Sequence, residues 1–304
     1  MDDAFDAQVR TAAFSFLGNL QQVHGDEIPR IELAKGFEFR GQRVPLVGPQ
    51  GIFKPAVLAE IPISITTAPV VEGRDRPYDD VMHEGGLISY RYRGTDPQHH
   101  ENVGLRKAMA GQIPLAYFHG VARSYYAAAF PAYIVKDEPT TLTFTVAVDE
   151  FLLDASEEPF VEDPTARRAY ATRHVLQRLH QQAFRQRVIS AYRESCAICR
   201  LRQRDLLDAA HILPDRDPRS EPIVSSGLSL CRLHHAAFDS NIVGIHPDYR
   251  VEIRRDVLED VDGPMLIHGL QGFHGGPLSV PKQTELQPNR DFLAERYERF
   301  SQAS

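Results

Sequence analysis

The chain has no tryptophan and three cysteines in 304 residues, and no apolar run approaches the ~20 residues that a helix needs to cross a bilayer. A membrane span is therefore not expected. All three cysteines fall between positions 196 and 231, which leaves none over for the disulfide framework of a small secreted protein. The opening Met1-Asp2-Asp3 is acidic where a secretory signal is basic, so the expected compartment is the reducing cytoplasm. Basic charge is in short supply overall. The net charge of −7 argues, taken alone, against a polyanionic partner.

What is present changes that picture. The cysteines stand as Cys196-x-x-Cys199 and Cys231-x-x-His234, with His235 directly behind. Two such knuckles put three thiolates and one imidazole on a single small ion, and Zn²⁺ prefers a closed tetrahedral shell of this kind when its role is structural. The expected zinc set is Cys196, Cys199, Cys231 and His234. Between the knuckles, Leu206–Leu213 reads as a strand containing Asp208-Ala-Ala-His211-Ile, Gly227–Cys231 as a second strand, and Arg232–Asp239 as the opening of a helix. On that helix His235 and Asp239 are spaced i, i+4 and share a face, so they can grip one ion together. Strand alternation turns Asp208 and Ala210 to one side and His211 to the other.

This segment resembles the HNH endonuclease family, specifically its zinc-stapled members with an Ala-His-Ile first motif and a Cys-x-x-(Cys/His)-His helix start. The resemblance implies a ββα-metal fold that hydrolyses DNA phosphodiesters to a 5′-phosphate and a 3′-hydroxyl. The chemistry asks for a base with a pKa near neutrality and a divalent ion, Mg²⁺, Mn²⁺ or similar, to offset charge on the phosphate and the leaving oxygen. His211 is the candidate base, because histidine ionises in that range. His235 and Asp239 are the candidate ligands of the catalytic ion. Many family members carry Asp or His directly before the base, where this chain has Ala210, and Asp208 is the nearest carboxylate able to substitute. The Asn that usually precedes the Gly-Leu of the second strand and orients the base is Ser226 here. A hydroxyl can make one hydrogen bond but cannot present the amide's paired donor and acceptor. A purely structural zinc ribbon stays open beside this reading, with Asp208 as a capping carboxylate and Asp239 as a helix end.

The arginines support a DNA partner. Between Pro164 and Arg204 there are ten, Arg167, Arg168, Arg173, Arg178, Arg185, Arg187, Arg193, Arg200, Arg202 and Arg204, against one acid, Glu194. Screening reaches only about 8–10 Å in physiological salt, so a polyanion responds to such a stripe more than to the chain total.

Ahead of this stripe, Phe5, Val9, Ala12, Ala13, Phe16, Leu17 and Leu20 recur at helical intervals. Short β-branched or aromatic runs follow at Phe37–Phe39, Val44–Val47, Ile61–Ile65, Leu87–Tyr92, Ile113–Val121, Tyr133–Lys136 and Leu142–Val148, a series that suits a small barrel. The acidic, proline-marked stretch 152–164 reads as a linker, and 165–194 as an arginine-rich helix. Beyond the knuckles come a hairpin (Ile242–His246, Arg250–Arg254), a Gly- and Pro-rich loop (263–288) and a last helix near 289–302.

Within the barrel region, Tyr78-Asp79-Asp80-Val81, then Gly85-Gly86 and the aromatic strand Leu87-Ile-Ser-Tyr90-Arg-Tyr92-Arg93-Gly94, resembles the SRA domain. Asn102–Met109 and Ile113–Ala116 continue the likeness. It implies a PUA-like curved barrel that reads methylated cytosine by turning the base out of the duplex. By motif, Asp80 accepts from the cytosine amine, while Tyr92 and Tyr78 sandwich the ring. Tyr90 takes the stacking role if the register shifts by two, and Arg93 lies beside them as a DNA contact. Stacking on aromatic faces, worth roughly 1–3 kcal/mol per base, replaces what a flipped base loses. In the plainer reading Tyr90 and Tyr92 are cross-strand packing residues.

The expectation is an α+β chain in two domains. Residues 1–160 form a curved SRA/PUA-like barrel that reads modified DNA, and residues 161–304 form a basic helical linker and a zinc-stapled ββα-metal HNH endonuclease domain. The whole would be a modification-dependent endonuclease acting on double-stranded DNA that carries 5-methylcytosine or a related base. One site cuts one strand, so a homodimer is expected. Two other readings stay open: a non-catalytic binder of modified DNA, and a nuclease whose front domain senses sequence, RNA or a protein partner.

Overall fold

Helix α1 (Asp3–His24) turns one apolar stripe inward, Val9, Ala13, Leu17 and Leu20. Such spacing brings successive side chains to one helix face, and burial of each large one contributes roughly 1.5–3 kcal/mol. The computed structural model describes residues 3–25, 27–68, 87–148, 164–214, 217, 219–220 and 222–303. They are α+β and fall into two compact units, Met1–Gln182 and Ala183–Ser304.

In the first unit α1 is followed by β1 (Ile28–Pro29), α2 (Arg30–Lys35), a β2–β3 ribbon (Phe37–Phe39, Gln42–Val44), β4 (Ile52–Phe53), β5 (Ser64–Thr67), β6 (Ile88–Arg91), α3 (His100–Ala110), β7 (Leu115–Ala122), β8 (Tyr125–Glu138) and β9 (Thr143–Val148). The main sheet runs β4-β5-β7-β8-β9-β6, with β1 added to β8. Where the sequence reading expects a curved barrel, the sheet is a curled half-barrel: β4 and β6 remain its two edges among the described residues. Register shifts on both sides of the long β8 supply the bend, since a bulge locally twists and kinks a strand. The parallel pairing of β5 with β7 was not legible in the strand runs, because a crossover partner lies far along the chain.

The first core joins α1 to Ile28, Leu33, Val44, Leu46, Ile63, Phe118 and Ala128. One polar residue of α1 breaks the amphipathic pattern. Arg10, 2% exposed, donates to the carbonyls of Pro62 (2.8 Å), Ile61 (3.1 Å) and Pro114 (3.0 Å) and pairs with Asp6. It thereby closes the backbone where β5 and β7 begin. No helix among the described residues is long and apolar enough to cross a membrane.

Helix α4 (Pro164–Ala191) runs into the second unit, whose elements are β10 (Leu207–His211), β11 (Gly227–Cys231), α5 (Arg232–Asp239), a hairpin of β12 (Val243–Ile245) and β13 (Val251–Ile253), α6 (Arg255–Glu259), α7 (Pro264–Gly269) and α8 (Arg290–Gln302). The ββα order matches the sequence reading closely. The loop expected at 263–288 differs, since α7 forms at its start, where Pro264 follows Gly263 at the first helical position. Phe184, Val188 and Ile189 from the end of α4, with Tyr192 just beyond it, pack with Leu228, Leu230, Ala210 and Phe238 in a second core. Asn289 caps α8 by accepting from the Asp291 and Phe292 amides.

Gly227 lets α4 close on the β10–β11 hairpin. A Cβ there would lie 2.5 Å from Phe184 Cζ and 2.8 Å from Val188 Cγ2, both buried and unable to retreat freely. Gly227→Ala is therefore expected to destabilise the second unit by about 1–3 kcal/mol, the usual cost of overpacking a filled core. A thermal or denaturant melt followed by circular dichroism checks this; an unchanged midpoint would show that the helix has room to move.

Candidate metal centre and nuclease site

Cys196, Cys199, Cys231 and His234 come together, their ligand atoms all within 4.8 Å of one another. The first knuckle is set by backbone hydrogen bonds, Arg200 N–H to Cys196 O (3.0 Å) and Cys196 N–H to Leu201 O (3.0 Å). The second is the junction where β11 becomes α5, with Cys231 in extended conformation at the helix cap. Cys199 Sγ lies 3.9 Å from Cys231 Sγ, and His234 Nδ1 lies 3.1 Å from Cys231 Sγ and 3.5 Å from Cys196 Sγ. An ion with bonds of about 2.3 Å to sulfur places tetrahedral ligands about 3.8 Å apart, so the group needs little adjustment to hold Zn²⁺. His234 Nε2 donates to the Gly269 carbonyl at 2.9 Å, so Nδ1 is the nitrogen that faces the sulfurs. That carbonyl sits at the end of α7, and no local signal in the sequence marks it.

The electrostatics of the group point the same way. Hydrogen bonds from Cys196 and then Cys199 push the Cys231 thiol far below its usual range, while those from Cys196 and Cys231 push Cys199 far above it. Burial works against protonation of His234, but the Cys196 and Cys231 sulfurs outweigh it and hold the imidazole up at about 9. Crowded thiols resist ionising together, and a dication would relieve that repulsion by stabilising them as thiolates.

Beside this group, β10 and α5 bring Asp208, His235 and Asp239 together. His235 Nδ1 is 3.4 Å from Asp208 Oδ2, and His235 Nε2 is 3.4 Å from Asp239 Oδ2. The two carboxylates thus sit at opposite ring nitrogens. One nitrogen serves one ion, so an ion at His235 takes Asp239 or Asp208 as its first carboxylate partner, and the other must swing to join. Asp208 Oδ1 accepts from the Ala209 amide (2.8 Å) and lies 3.3 Å from Arg185 Nε, a contact between α4 and the strand that the arginine count alone did not place. Burial opposes ionisation of Asp208, yet His235, the Ala209 amide and Arg185 outweigh it and its pKa is lowered. The His235 pKa is raised, chiefly by its hydrogen bond with Asp208 against the cost of burial.

His211 closes β10 opposite Gly227, and its ring stacks on Phe184 with centroids 4.1 Å apart and planes 20° apart. Ser226 is buried, and its Oγ has no hydrogen-bond partner among the described residues, so the expected orienting bond to His211 is not formed. The arginine stripe divides: Arg187 and Arg204 turn to protein partners, as Arg185 does, whereas Arg193, Arg200 and Arg202 stay exposed.

In the first unit Tyr90, Tyr92 and Arg93 line a small cavity with Gly51, Ile52, Thr66 and Thr67. Tyr78 and Asp80 lie outside the described residues. Tyr92 does not offer a base an open face: it is 2% exposed, stacks on Phe144 at 4.5 Å, and its hydroxyl donates to Asp137. Its position in the β6–β9 seam makes it a packing residue. Tyr90 is also buried, with its hydroxyl 3.4 Å from the Thr66 carbonyl. Arg93 Nε lies 3.7 Å from Glu101 Oε2, and its backbone is held by Asn102.

The second unit is thus a ββα module with a Cys3His group beside a His–carboxylate cluster. Residues 196–246 match the family model described as HNH endonuclease, and the protein is accordingly a DNA endonuclease. Among solved structures, the chain is similar to one described as "Modification dependent TagI restriction endonuclease", at 17% identity and a TM-score of 0.31, over 79% of this chain and 82% of that one. No curated protein matches the chain.

Two outcomes follow from the geometry. Metal analysis should find one tightly held zinc per chain, and Cys199→Ser should lose most of it and lower the thermal midpoint, since structural zinc contributes directly to folding. In protein free of divalent ions at the second site, the His235 imidazole should titrate above its ordinary 6.5, with the protonated ring favoured by its two carboxylates. Asp208→Asn should bring that midpoint down. The sign for stability is the same: the contribution of the protonated ring is complete below 6.5 and is lost as pH rises through the raised folded value. An NMR titration in which Asp208→Asn leaves the midpoint unmoved would break this coupling.

Proposed function

We propose that the protein is a modification-dependent DNA endonuclease of the HNH type, in which residues 1–160 read a modified cytosine and residues 161–304 cut the backbone. One observation carries the nuclease half: Asp208 from the strand and Asp239 from the helix both lie 3.4 Å from His235, inside the segment that matches the HNH model. His211 takes the proton from the attacking water. His235 and Asp239 hold the divalent ion, with Asp208 joining once it leaves Arg185. The ion, Mg²⁺ or Mn²⁺, supplies positive charge against the phosphate and the leaving oxygen. Cys196, Cys199, Cys231 and His234 bind structural Zn²⁺. The products are a 5′-phosphate and a 3′-hydroxyl.

Support for the reading half is the motif from Tyr78 to Gly94 and the cavity that Tyr90 and Arg93 share. Asp80 accepts from the cytosine amine, Tyr78 and Tyr90 supply ring faces, and Arg93 reaches the DNA once parted from Glu101. The exposed Arg193, Arg200 and Arg202 suit phosphate contacts. Two copies of the chain make a double-strand break, and the enzyme works in the cytoplasm.

Methylated and unmodified plasmid, each incubated with the protein and Mg²⁺ or Mn²⁺, separate the possibilities. Cleavage of the methylated plasmid alone is the expected result. Equal cleavage of both would move the front unit to another signal, and a gel shift without cleavage would make the protein a binder. His211→Ala should lower the cleavage rate by about 10²- to 10⁴-fold while DNA binding and zinc content persist.

A further inference from the structure

We propose that Phe184, near the end of the arginine-rich helix, is the positioning residue for His211. The inference rests on the reading of His211 as the base. The imidazole is held by a face: the Phe184 and His211 rings lie 4.1 Å apart and 20° from parallel. The stack is built into the fold. Phe184 is 2% exposed, it packs among Val188, Ile189 and Leu228, and it occupies the space left by the missing side chain at Gly227, the register partner of His211. Any side chain at 227 would drive the ring away. The next residue, Arg185, reaches the same strand, with Nη2 2.7 Å from the Leu207 carbonyl and Nε 3.3 Å from Asp208. Two consecutive residues of α4 therefore touch the strand's two candidate site residues, and the end of this helix is one wall of the active site.

The physics of the stack suits a base. Parallel packing restricts tilting of the imidazole out of its plane and leaves its ring nitrogens at the edge, where a water must be met. When the ring takes up a proton, the positive charge lies over an aromatic face, which favours it. A misplacement of about 1 Å in a reacting group can cost about 10²-fold in rate.

The test is steady-state cleavage by Phe184→Leu, with zinc content and thermal midpoint measured alongside. The expected result is a kcat lower by about 10- to 100-fold, KM within about twofold, and retained zinc. His211 ring protons should also lose the shielding of the aromatic face and shift downfield in the NMR spectrum. Should Phe184→Leu not fold, Phe184→Met fills the space flexibly without a ring and serves the same comparison. A folded, zinc-loaded variant with unchanged kcat, beside an inactive His211→Ala, would overturn the positioning role alone. A His211→Ala protein that still cuts removes the base reading, and this inference with it.

Discussion

Convergence of three sulfurs and one imidazole decides where everything else in the second unit can lie. The Cys196–Cys199 knuckle follows α4 directly, and the Cys231–His234 knuckle is the hinge between β11 and α5. Joining them fixes the helix that carries His235 and Asp239 against the strand that carries Asp208 and His211. The two-stranded sheet and the eight-residue helix are small elements, and an ion held by this group would stabilise their geometry in addition to the core behind them. The Gly269 carbonyl accepts from His234 Nε2, so the end of α7 helps to orient the imidazole of the Cys3His group although it supplies no ligand.

The His–carboxylate cluster beside the Cys3His group is an electrostatic chain. Arg185, Asp208, His235 and Asp239 alternate in sign when the histidine is protonated, each in contact with the next. Under the proposed function, a divalent ion would take the place of the proton on His235 as the charge that the carboxylates answer.

Much of this module could be read from its residues. The limits of β11 and α5 match the sequence reading, and β10 is trimmed only at its ends, because cysteine spacing, the Gly227 turn-in and the i, i+4 pair are local signals. The first unit was harder. Its first helix and most strand runs were visible, but β1, α2, β4 and α3 were not, and the half-barrel depends on pairings between distant strands and on bulges in β8 that no local pattern announces. Tyr92 shows the limit well: an aromatic at the end of a strand reads equally as a base platform or as packing, and only the Phe144 ring beside it separates the two. Arg10 shows another. A charged residue on an amphipathic helix reads as solvated, yet three carbonyls at the starts of two strands take it into the core.

By itself the sequence determined the donor set and the order of its elements, since thiol and imidazole chemistry and short-range spacing are properties of the residues alone. Tertiary structure decided which nitrogen of His235 meets which carboxylate, that the Ser226 hydroxyl has no partner among the described residues, and that Phe184 lies flat on His211. Those relations depend on how closely α4 packs on the hairpin, a distance set by the absence of one side chain at Gly227 and by the shapes of residues far apart along the chain.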